Sequence, residues 1–169
     1  MKKTLLTVIA MMMLAGSIFA APKAKLDPVV IFDPATTAVK AGEVVTINGE
    51  KYLKITPKGY ETLFEIPEID LNGYKNFVMT AFSDTAVKKY NLTVKICDKD
   101  MGEISTPQIY GTPTEPKTVT AGKAKQEAWG NVLSKTKIAT ILQPYVQDSS
   151  NNYAAVSDST IYIGKIIAQ

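Results

Sequence analysis

Short apolar runs alternate with turn residues along most of the chain. VVIF at 29–32 stops at Asp33-Pro34, EVVTI at 43–47 at Asn48-Gly49, and KYLKI at 51–55 at Thr56-Pro57-Lys58-Gly59. YETLFEI at 60–66 reads as a further strand that Pro67 ends. Asn48-Gly49 between two such runs predicts a type I′ hairpin, because that turn needs positive φ at both central residues. Asn72-Gly73 predicts a second tight turn, leading into YKNFVMTAFS. This run carries bulky groups on both faces, the pattern of a central buried strand.

In YNLTVKIC at 90–97, Leu92, Val94 and Ile96 share one face, and Asn91, Thr93 and Lys95 the other. KIATILQPYVQ at 137–147 and STIYIGKIIA at 159–168 repeat the theme. From 98 to 125 three prolines and three glycines punctuate a Thr-rich stretch, which predicts long loops around one or two short edge strands. No convincing amphipathic helix emerges. Gln126 to Ser134 comes nearest, but Gly130 and Asn131 weigh against it. Many short strands without repeats predict an all-β, antiparallel sandwich of jelly-roll type, as a single domain.

The amino terminus follows a different rule. Lys2 and Lys3 precede an apolar run from Leu5 to Leu14, and small residues close it at Ala20-Ala21. That is the layout of a cleaved signal peptide, residues 1–20, with Pro22 favouring cleavage after Ala20. The run is short for a membrane span, and no cysteine stands at the junction for a lipid anchor. The expected product is exported to the periplasm, cell surface or medium, with no membrane span in its mature form. Residues 21–28 would be an exposed lead-in and 29–169 the sandwich domain. Removing 20 of 169 residues leaves 149, enough for one domain with a sizeable core.

Composition then narrows the chemistry. The mature chain carries 17 lysines against 16 acidic residues, a charge near zero that gives no footprint for nucleic acid. There is no Arg, so bidentate clamps on carboxylate or phosphate are absent. There is no His, which removes Ser-His-Asp and Cys-His catalysis and imidazole metal sites. The one cysteine, Cys97, ends an alternating run and reads as a buried apolar residue. Glu61 and Glu65, about 13 Å apart on an extended strand, are too far separated for glycoside hydrolysis. Asp98-Lys99-Asp100 lacks the rest of a calcium loop and reads as a turn. No enzymatic activity, cofactor or metal is expected.

The chain NGEKYLKITPKGYETLFEIPEIDLNGYKNFVMTAFS resembles the first half of a carbohydrate-binding-module jelly roll of the galactose-binding-domain-like type. There an early strand pair is followed by a "dl-x-gy" turn and a central strand. AWGNVLSKTKIATILQPYVQDSSNNYAAVSDSTIYIGKII resembles the second half, ending in a strand of the form "vyI-x-kI". The resemblance implies the sandwich fold and binding of a polysaccharide or other glycan. Related modules often hold a structural calcium ion through an acidic residue in the last strand. Gly164 stands at that position here, which argues against such a site.

Carbohydrate recognition needs aromatic faces for the apolar side of a sugar and polar groups for its hydroxyls. Gln143, Tyr145 and Gln147 share one face of a predicted strand, and Lys95 and Thr93 are expected beside them in the same sheet. Trp129 and Tyr110 complete the candidate ligand-binding set, with core packing of Trp129 and Tyr145 as the plainer alternative. Pro144 suggests that this strand is an edge or is bulged. The second functional reading is a structural or assembly subunit of the cell envelope, in which the lead-in adds a strand to a neighbour or to another copy.

Overall fold

A computed structural model describes residues 25–123 and 138–169. The predicted signal peptide, Trp129 and the 126–134 segment lie outside the described residues. The strands in chain order are β1 (Val29–Phe32), β2 (Glu43–Ile47), β3 (Glu50–Ile55), β4 (Phe64–Asp70), β5 (Asn76–Ser83) and β6 (Val87–Cys97). They continue as β7 (Glu103–Ser105), β8 (Gln108–Thr112), β9 (Lys117–Gly122), β10 (Ile138–Asp148), β11 (Ala154–Val156) and β12 (Ile161–Ala168). A 3₁₀ turn, Gly59–Glu61, stands between β3 and β4.

The strands form two antiparallel sheets. One has the order β2-β3-β12-β5-β9, with β1 also paired to β12. The other has the order β11-β10-β6-β7, with β4 also paired to β10 and β8 to β6. Phe77, Met79, Leu53, Ile161 and Ile166 project from the first sheet onto Leu92, Val94, Ile96, Ile109, Leu142 and Val146 of the second. Each such side chain contributes roughly 1.5–3 kcal/mol on leaving water, which drives the two sheets together.

Turn chemistry places the strands as expected. Asn48 and Gly49 have φ of 52° and 84°, the type I′ pair that joins β2 to β3 without a register shift. β5 is central, flanked by β12 and β9. The stretch after Cys97 holds three strands instead of one or two, and Asp98 makes the expected turn by accepting the Asp100 and Gly102 amides.

Three local readings change. YETLFEI is not one strand: its first half is the 3₁₀ turn and only Phe64 onward is extended. Gly59, at φ 60°, swings the chain out of the strand direction there. Pro67 does not end β4, which continues to Asp70. Among the described residues β4 pairs with β10 alone, and its register slips opposite Ala139–Ile141, so an amide is not needed at Pro67.

Pro144, in turn, lies inside β10, which has neighbours on both sides. Its pair across β6 is Val94, whose amide points the other way, to the Pro107 carbonyl. The Val94–Pro144 pair is therefore a non-hydrogen-bonded one, and the position of the missing proline amide faces away from β6. On that side pairing with β4 ends at Leu142 and pairing with β11 begins at Val146. The proline occupies the gap between them.

Candidate functional site

The outer face of the β10 sheet is where the predicted residues meet. Register pairs Gln143 with Lys95, Tyr145 with Thr93, and Gln147 with Asn91. On the far side of β6, Gln108 stands opposite Thr93, and Tyr110 opposite Asn91. Period-two alternation sends the intervening Leu142, Val146, Leu92 and Val94 into the core, so these polar and aromatic groups share the other face.

The structure adds a residue that the sequence reading placed in a strand. The 3₁₀ turn lays Tyr60 over Tyr145, with ring centroids 4.8 Å apart and planes at 67°. Tyr145 is only 3% exposed beneath it, whereas Tyr60 is 42% exposed. Burial pushes the Tyr145 phenol well above its ordinary range, and the Glu103 carboxylate adds to the effect. The Tyr145 ring face is thus covered, and the ring offered to solvent at this point is Tyr60.

Tyr60 is held from several directions. The Gln143 amide donates to its backbone carbonyl. Gln147 donates through Nε2 to its phenol oxygen at 3.1 Å. The phenol donates onward to the Tyr153 carbonyl. Gln108 donates to Gln147 Oε1 at 3.2 Å and to Thr93 Oγ1 at 3.1 Å. Donation thus runs one way from Gln108 through Gln147 and Tyr60 to Tyr153, and Tyr60 both accepts and donates. Two of the three residues singled out on β10 therefore act by positioning a third party. Pro57 and Gly59 are the local signal of a break in the strand here.

Lys95 is half-buried, pairs with Glu103 at 3.5 Å, and lies 6.0 Å from the Tyr145 ring centroid. Tyr110 is 76% exposed at the opposite margin of the face, and Tyr153 is exposed at φ 55° beside Tyr60. The face therefore carries two accessible tyrosines, Tyr60 and Tyr110, bordered by amides and hydroxyls. Its charges are largely matched, since Lys89 also pairs with Asp148 at 2.9 Å. Such a surface can stack on an apolar ring face and exchange hydrogen bonds with neutral polar groups.

Cys97 is buried at the end of β6, and burial pushes its thiol up to about 11. Among the described residues no group of three or more Cys, Asp or Glu side chains is arranged to hold a metal ion. The residues near Gly164 do not suit calcium: Lys165 places its ammonium 3.0 Å from the Asp33 carboxylate, and Glu50 accepts the Tyr52 phenol at 3.0 Å. Asp33 is held below the usual carboxylate range by the Ala35 amide and by Lys165. Among the described residues no helix is long and apolar enough to cross a membrane.

No protein-family model and no curated protein matches the sequence. Solved structures of the same fold do exist. The crystal structure of a family 30 carbohydrate-binding module aligns with TM-score 0.53 and 13% identity, over 85% of this chain and 100% of that one. A family 6 carbohydrate-binding module, whose binding sub-sites were dissected by crystallography and calorimetry, aligns with TM-score 0.51 and 10% identity over 85% and 93%. The chain has the jelly-roll sandwich of these modules, as its strand order led one to expect.

Proposed function

We propose that this protein is an exported, non-catalytic carbohydrate-binding protein whose ligand is a neutral polysaccharide or glycan. The observation that carries the reading is the Tyr60 ring, exposed on one side and held by Gln143, Gln147 and Tyr145 on the other. A sugar stacking on a ring already fixed loses little further side-chain entropy, which is the advantage of preorganisation. Tyr110 extends the apolar contact, while Lys95, Gln108 and Gln147 supply polar groups at its border. The shared fold with two carbohydrate-binding modules supports the reading without supplying the site.

An envelope assembly subunit is the second reading, and one observation favours it. Among the described residues β2 ends its sheet as an unbulged strand, EVVTI, with neither Pro nor Lys in it and no strand on its outer side, and Val44 is exposed. A glycan-array and polysaccharide pull-down screen on residues 21–169, with elution volume measured on the same sample, separates the two. Retention of a defined glycan by a monomer supports the binding protein. Self-association with no glycan retained supports the assembly subunit.

A further inference from the structure

A groove of about 490 Å³ runs along the other side of the segment that carries Tyr60, within the range of roughly 300–1,000 Å³ typical of ligand clefts. Lys58, Glu61 and Leu63 form one wall, and Glu43 with the end of β3 forms the other. Buried Ile55 and exposed Leu63 give it an apolar floor and lip.

Its charged groups differ from those on the sheet face. Glu43, Lys54, Lys58 and Glu61 line the groove, and their formal charges cancel. Among the described residues, none of the four forms an ion pair, although Glu43 and Lys54 are register partners. By contrast, Lys95 and Lys89 on the sheet face are both matched to carboxylates. The groove also holds Thr56 and Thr160, whose hydroxyls are 3.0 Å apart.

Uncommitted carboxylates accept from hydroxyls, and uncommitted ammonium groups donate to them. An anionic ligand would meet two carboxylates, and a cationic one two ammonium groups. A neutral polyhydroxylated ligand uses all four, and the apolar face of its ring finds Ile55 and Leu63.

We propose that this groove is a second sugar subsite, continuous with the Tyr60 face through their shared wall. The ligand is then an internal stretch of a linear neutral polysaccharide, too long to be satisfied by one ring. This inference rests on the reading of the Tyr60 face as a carbohydrate site.

The test is calorimetric titration of the protein with cello-, xylo-, manno- and laminari-oligosaccharides, each as disaccharide and hexasaccharide. The wild type is expected to bind one hexasaccharide at least tenfold more tightly than its disaccharide. A Lys58→Ala/Glu61→Ala variant, altered only at exposed positions, is expected to lose about tenfold for the hexasaccharide and nothing for the disaccharide. Leu63→Ser provides an independent second variant with the same expected split, and its melting temperature reports folding. Equal affinity for the two lengths, or groove variants that bind the hexasaccharide like wild type, would overturn the subsite and leave the Tyr60 face standing. Binding of no sugar by the wild type would overturn both.

Discussion

Gln147 donates its side-chain amide to the phenol oxygen of Tyr60 at 3.1 Å, across 87 residues of sequence. That contact joins the central strand of one sheet to a turn that leaves the other sheet's hairpin. It orients a ring that nothing local to Tyr60 would hold.

Replacing Tyr60 by Ala is expected to weaken glycan binding about tenfold, roughly 1.4 kcal/mol, through loss of the stacking surface. Tyr60→Phe keeps the ring and loses the link between Gln147 and Tyr153, so a smaller loss is expected. Titration of both variants with the glycan that the wild type retains checks the order.

Tyr145 is buried beneath Tyr60, so its truncation acts on stability before it acts on binding. Tyr145→Ala is expected to cost about 3–5 kcal/mol by opening a cavity under the turn. Urea unfolding followed by circular dichroism measures the loss. An unchanged midpoint would mean that the ring is not packed as described.

A methyl group at position 164 would lie 3.2 Å from both the Thr80 carbonyl oxygen and the Tyr52 ring. The carbonyl belongs to a neighbouring strand, and the Tyr52 ring is held edge-on to Phe82 at 5.1 Å, so neither yields easily. Gly164→Ala is expected to destabilise by about 1–3 kcal/mol, read as a lowered unfolding midpoint with glycan binding unchanged in the folded fraction.

The Asp148 carboxylate is held below its usual range by the Lys89 ammonium and by the Ser150 hydroxyl. Its folded pKa lies under the unfolded value of about 3.9, so the stability it contributes is present above that pH. The contribution is lost as pH falls through the folded value. Asp148→Asn is therefore expected to unfold at lower urea than wild type at pH 7, with the gap closing below about pH 4. A gap of constant size across that window would remove the titration as its cause.

Cys97 is buried, and with its thiol near 11 only roughly one molecule in a thousand is thiolate at pH 8. A thiol-specific chromogenic reagent is expected to leave it unmodified in the native protein and to react with one thiol per chain in denaturant. Rapid native labelling would contradict its burial.

Period-two patterning and turn residues made much of this molecule legible before folding. Asn48-Gly49 sets positive φ by its own steric permissiveness, and alternation along β6 and β10 sorts core side chains from the outer face whatever packs there. Alternation puts Gln143, Tyr145 and Gln147 on one face of β10 and Lys95 and Thr93 on one face of β6, and the β6–β10 pairing joins the two. Tertiary structure alone decided which of these groups meets solvent. Tyr60 covers Tyr145 through contacts between residues more than eighty positions apart, and no local propensity encodes a partner at that range. Likewise, Pro144 reads locally as an edge or a bulge, but it sits inside a two-sided strand because β4 and β11 leave a gap beside it. Local steric preference writes strands and turns into the sequence, whereas exposure is a property of what the rest of the chain lays on top.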